Sequence, residues 1–415
     1  MKNKKKLIGL SALLLAATTV AACSSGSSTS VGGSSTSTST GNTSATTSGG
    51  PINVLVVADQ SGPNKTIGTQ EALGVQAGAA YLDAHGGVLG RQVSVTILND
   101  DGDPATAASL VVKTLAQNPA KYSMIYPGEE GTIIAALIPI VKRDSLYAVG
   151  VNDGSSGCID ASSCPTQFSL TGAASLSTVA PVGFFSSKKY TNVGVLSAQL
   201  DFTQNEATDI APLLTKAGIK YETASFPVSA VSVTSEMSQL KSGGAQAVYA
   251  AAFGAAIGYI LQARAQLGWN VPVVFDVAGA SFDIPSLAPA SQMANVYETA
   301  FKCMDPSSDL SAIGLIKKYA PSAQDPTVPC NQVASGWDSM MIFSAAAKSA
   351  GSLSPTALAK ATEGINLANS TATPLADYGK YCYSATNHEN ACQSGSDFVV
   401  VPVGKIENSV LSPLS

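Results

Sequence analysis

The sequence predicts an α/β protein of two similar lobes, each a parallel sheet with helices on both faces. Three observations lead there. Short apolar runs alternate with helix-period segments in two successive series, one between residues 52 and 151 and another between 192 and 276. About 365 residues follow a low-complexity leader, a length that suits two domains. Charged residues are 12% of the chain and mean hydropathy is +0.20, as expected of a well-buried body.

In the first series Ile52 to Ala58 reads as a buried strand. Gly68 to His85 reads as a helix, with Leu73, Ala77, Ala80 and Ala84 on one face and Gly86-Gly87 as its stop. Val93 to Leu98 alternates like a strand, and Asp103-Pro104 opens a helix that runs to about Gln117. A strand at Ser123 to Tyr126, a helix at Thr132 to Lys142 and a strand at Leu146 to Val151 follow. The second series has strands at Asn192 to Ser197, Lys220 to Phe226, Ala247 to Ala252 and Val271 to Asp276. Its helices are Gln204 to Ala217, Thr234 to Ser242 and Ala256 to Leu267. Helices at Leu310 to Tyr319, Ala334 to Ala350 and Pro355 to Glu363, and a strand at Phe398 to Val403, complete the body.

The N-terminus has the layout of a secretory signal: Lys2, Lys4, Lys5 and Lys6, then a largely apolar run from Leu7 to Ala22, then Cys23. The run is shorter than the roughly 20 residues that span a bilayer. Val20-Ala21-Ala22-Cys23 resembles the lipobox of bacterial lipoproteins, which implies a signal at 1–22 and lipid on Cys23. Residues 23–50 are almost entirely Ser, Thr and Gly, a composition that makes a flexible tether. Removing the four signal lysines takes the formal charge from −5 to −9. With no basic cluster elsewhere, nucleic acid is not an expected partner.

Cys23 apart, six of the seven cysteines remain, and six allow fifteen pairings. Proximity favours Cys158–Cys164 and Cys382–Cys392, which leaves Cys303–Cys330. A zinc site would call for close Cys pairs with partner histidines, and His85 and His388 are the only two. Disulfides in an oxidising compartment are therefore expected. Asp100, Asp101 and Asp103 lack the later ligands of a calcium loop, so Asp103 reads as a helix cap and Asp101 as a turn former. No nucleophile elbow, zinc-protease helix, phosphate loop or dinucleotide fingerprint is present, and catalysis is not expected.

Gly74 to Pro104 (GVQAGAAYLDAHGGVLGRQVSVTILNDDGDP) resembles the hallmark region of the branched-chain amino-acid-binding proteins of ABC importers. Ala136 to Pro139, Gly336 to Ala346 and Val401 to Glu407 match less tightly, in order. The resemblance implies a type I periplasmic-binding fold: two Rossmann-like lobes joined by crossing strands, closing on a small molecule and docking on a membrane permease. It implies a monomer without cofactor or metal. The lobes would be 51–171 with about 299–384, and 172–298 with about 385–415. An extracellular sensor of the same fold is the alternative.

By the same resemblance, ligand contacts are expected at Ser61 and Gly62 after the first strand, and at Gly128, Glu129, Gly131 and Thr132 before a helix. They are expected also at Val151, Asn152 and Asp153, and in the second lobe at Phe202, Phe253 and Asp276. Phe202 stands where the family often has tyrosine. Glu129 and Glu130 would repel a carboxylate, so they either face solvent or meet a cationic or hydroxyl-rich group. Asp276 either holds an ammonium or caps the next helix.

Overall fold

The computed structural model describes residues 49–118, 121–128, 131–150, 160–305, 307–308 and 311–414. The expected signal at 1–22, Cys23 and nearly all of the tether lie outside them, as do Glu129, Glu130, Val151, Asn152, Asp153 and Cys158.

The first series forms β1 (Ile52–Ala58), α1 (Lys65–Ala84), β2 (Val93–Asn99), α2 (Pro104–Gln117), β3 (Tyr122–Tyr126), α3 (Gly131–Arg143), β4 (Ala148–Gly150) and β5 (Gln167–Ser169). These strands make one parallel sheet in the order β2-β1-β3-β4-β5. Side chains alternate across β1: Val54 and Val56 enter one core, Leu55 and Val57 the other. Burial on both faces is why this strand reads as an unbroken apolar run.

The chain then crosses to α4 (Val179–Ser187), β6 (Asn192–Ala198), α5 (Asp201–Lys216), β7 (Lys220–Phe226), α6 (Thr234–Ser242), β8 (Ala247–Ala251), α7 (Ala255–Gln266), β9 (Val273–Phe275), α8 (Ile284–Leu287) and β10 (Val296–Phe301). A second crossing leads to α9 (Ser311–Tyr319), α10 (Cys330–Ala350), α11 (Pro355–Thr362), β11 (Asn366–Ala368) and β12 (Lys380–Cys382). The residues of α10 and α11, with Tyr381 of β12, enter the core beneath the first sheet. A third crossing reaches β13 (Phe398–Pro402), followed by β14 (Gly404–Glu407) and β15 (Val410–Pro413). The second sheet runs β13-β10-β9-β8-β6-β7, parallel except for β13.

Several elements go beyond the sequence reading. α1, α5 and α10 begin earlier than expected, at Lys65, Asp201 and Cys330. β10 carries Glu298 inside its run, and α4 contains Pro181 and Gly183, features that mask a strand and a helix. β14 and β15 form a hairpin around Asn408 and Ser409, both at positive φ, which suits a two-residue loop. Its Ile406 and Leu411 enter the first core.

Local chemistry explains the ends. α1 stops where the Gly87 N–H reaches back to the Leu82 carbonyl at 2.8 Å, with Gly86 and Gly87 both at positive φ. Asp103 caps α2 by accepting the Thr106 N–H at 2.6 Å, ahead of Pro104. Ser354 does the same for α11 through the Ala357 N–H. α1 and α10 meet backbone to backbone: a Cβ on Gly74 would collide with the Val333 carbonyl, and one on Gly336 with that of Glu71. Cys303 pairs with Cys330 and Cys382 with Cys392, at Cα separations of 6.2 and 5.2 Å. Cys164 is buried, and its expected partner Cys158 is outside the described residues.

Candidate functional site

A cavity of about 320 Å³ opens where the carboxyl ends of the two sheets face one another, the position where open parallel sheets bind ligands. Its size falls within the range of small-molecule pockets. The first lobe contributes Asn64 and Ile67 at the start of α1, and Gly131 at the start of α3. The second contributes Phe202 and Glu206 from α5, Phe253 after β8, and Val277, Ala278, Ser281 and Phe282 after β9. All three crossings reach it: Thr171 to Ala174 and Ser177 on the first, Phe301 at the mouth of the second, Gln393 and Phe398 on the third. Tyr378 completes the wall, with its ring centroid 6.2 Å from that of Phe301, which lies 5.5 Å from Phe398. Six of the lining residues are aromatic, and among the described lining residues none is Lys, Arg or His.

Among the described lining residues Glu206 is the one acidic side chain, and it is 1% exposed. It accepts the Ser177 hydroxyl at 2.5 Å and the Tyr249 hydroxyl on its other oxygen. Burial raises its pKa above the ordinary carboxylate range, and those two hydrogen bonds offset part of the effect. Asp276 lies behind the lining, fully buried at the end of β9. One of its oxygens accepts the Ala252 and Gly279 N–H groups at 3.4 and 3.2 Å; the other has no partner among the described residues. Burial first, and then the charge of Glu206, raise its pKa well above the usual value.

The sequence-predicted residues divide into groups. Gly131, Phe202 and Phe253 line the cavity. Asp276 is adjacent but behind it, and it receives the Gly279 N–H of the following turn. Gly128 instead lines a much smaller neighbouring cavity, together with Asp59 and Glu71. Thr132 is exposed and outside both. Ser61 and Gly62 are not in the cavity lining. The Ser61 hydroxyl donates to Asp101, and Asn99 bridges the two at 2.8 and 2.9 Å. A Cβ on Gly62 would strike the Asp101 carbonyl. Both residues thus fasten the loop after β1 to the loop after β2.

Glu206 was not legible as a site residue while α5 was expected to start at Gln204. With the helix starting at Asp201, Phe202 and Glu206 are four apart on one face, and that spacing would have found it. The lining residues on the crossings carry no local signal.

A model of the Periplasmic binding protein family matches residues 51–394, and the chain belongs to that family. Solved structures agree on the fold. A periplasmic binding protein type 1 from Bordetella pertussis Tohama I aligns with a TM-score of 0.68 at 19% identity, covering 88% of this chain and 100% of that one. A branched-chain amino acid transporter substrate binding protein from Streptococcus pneumoniae, solved with isoleucine, gives 0.63 at 17% identity, covering 85% and 99%. A solute binding protein of an ABC transporter from R. palustris, solved with 4-hydroxybenzoate, gives 0.66 at 15% identity, covering 87% and 95%. Among curated proteins no sequence matches the chain. The fold is therefore that of the type I periplasmic binding proteins, two parallel α/β lobes joined by three crossings.

Proposed function

We propose that this chain is an extracytoplasmic solute-binding lipoprotein that delivers a small organic solute to an ABC permease. Residues 1–22 direct export, lipid on Cys23 holds the protein to the membrane, and the tether to residue 50 lets the lobes stand off it. The solute binds between the lobes and leaves unchanged. The observation that carries this reading is the cavity of about 320 Å³ between the two sheets, lined by all three crossings.

The ligand expected from sequence is an amino acid or a similar small polar solute. The six aromatic residues of the lining favour one whose body is apolar and whose polar end is single. The ligands of the Streptococcus pneumoniae and R. palustris proteins, isoleucine and 4-hydroxybenzoate, likewise join an apolar body to charged or polar groups.

The test is a thermal-shift panel of amino acids, amides, sugars, amines and aromatic acids, with bound compound recovered and identified. A true ligand at about a hundred times its Kd adds about 2.7 kcal/mol of stability, and is recovered stoichiometrically and unchanged. No stabilisation by any class at millimolar concentration overturns the reading, as does turnover of the bound compound.

A further inference from the structure

The second-lobe side of the cavity combines a buried acid with aromatic side chains, and no compensating cation lies there among the described residues. Glu206 is 1% exposed and lines the cavity, one helical turn from Phe202. The groups facing it are the hydroxyls of Ser177 and Tyr249, the carboxyl of Asp276 beyond β9, and Asp209 on its own helix. Among the described residues none of these three acids is in an ion pair with Lys, Arg or His. The internal segments outside the described residues contain no Lys, Arg or His either.

A carboxylate so placed is costly in the empty protein, since a buried charge is tolerated only with a partner. An arriving cation would supply that partner. Aromatic faces around the acid add attraction for the same charge while solvating an apolar body. An anionic solute would meet the opposite field, with no Lys or Arg among the described lining residues to offset it.

We infer that the cleft selects a small organic cation with an apolar body, an aryl- or alkyl-ammonium, whose charged end sits against Glu206 among the aromatic rings. This rests on the solute-binding reading and narrows it. Burial of Glu206 adds a signature: its proton is held to higher pH than that of an ordinary carboxyl, and a bound cation would expel it.

The experiment is calorimetric titration of the full chain with three probes of matched shape: phenethylamine, phenethyl alcohol and phenylacetate. The expected order is phenethylamine tightest, by about ten-fold over the alcohol, with phenylacetate weakest. Binding of phenethylamine should release protons and weaken as pH falls from about 8 to about 5. Glu206→Gln keeps the shape and an oxygen for the hydroxyls. It should remove the preference for phenethylamine over phenethyl alcohol and the pH dependence. Equal or reversed affinities in the wild type overturn the inference and leave the solute-binding reading standing, because the probes still bind. Binding by none of the three also overturns it, and the broader panel then decides the solute-binding reading separately. A preference that survives Glu206→Gln overturns the role of Glu206.

Discussion

In the first lobe, beside the cavity, Asp59 directs both carboxylate oxygens at its own loop, accepting the N–H groups of Ser61, Gly62 and Asn64. On the second-lobe wall Glu206 is held by two hydroxyls alone, and Asp276 keeps one oxygen without a partner among the described residues. Asp59 and Asp276 are both buried at strand ends, but only Asp59 has backbone donors on both of its oxygens. Three backbone donors tie Asp59 to its own loop and leave it little capacity for a solute. Incomplete saturation costs stability and leaves a group that a solute can complete. Under the proposed function, Asp59 would serve its own loop as a frame, and Glu206 would be the group left to recognise a solute.

Three substitutions would break or sharpen that contrast. The largest effect is expected from Asp59→Ala, which strips three backbone donors of their acceptor beneath the α1 entry. Unfolding in urea should show a loss of about 3 kcal/mol, with the ranking of bound solutes unchanged. A shift in solute ranking would mean that this wall also recognises.

Asp276→Asn should act in the opposite direction. The folded-state pKa of Asp276 is raised, so its ionisation opposes folding once pH exceeds the unfolded value of about 3.9. Stability contributed by the protonated group is complete below that value and is lost as pH rises. The variant should therefore be more stable than wild type at neutral pH, and the gap should close toward pH 4. Thermal melts across pH measure this. A gap that widens on acidification would contradict it.

The smallest effect belongs to Ser61→Ala. It removes one exposed hydroxyl bonded to Asp101 and Asn99, and should cost about 0.5 kcal/mol with no change in solute affinity. A ten-fold loss of affinity would return Ser61 to the ligand set expected from sequence.

Most of the fold was legible because its central strands are buried on both faces and its helices keep a 3.6 period. β1 and β8 are read directly from runs such as Val54 to Val57 and Ala247 to Ala251. β5, β11 and β12 are three residues each and have no pattern of their own. β10 was hidden by Glu298, whose pKa burial raises to about 8, with the Gly404 backbone offsetting only part of the shift. In the site, the legible residues are those that follow a strand end, such as Gly131 and Phe253. Phe301, Tyr378, Gln393 and Phe398 come from distant parts of the chain and meet only because the lobes are crossed three times. Nothing local in the sequence encodes that meeting.

Gln393 carries a consequence for how occupancy is communicated. Its side-chain carbonyl accepts the Gly172 N–H, joining two crossings that lie 221 residues apart. Asn390 and Thr171 add a backbone bond beside it at 2.9 Å. Both Gln393 and Gly172 also line the cavity. A solute in the proposed site would therefore touch residues that also bind the two crossings together. Under that proposal, filling the cavity would bear directly on the junction of the lobes, with no relay between them.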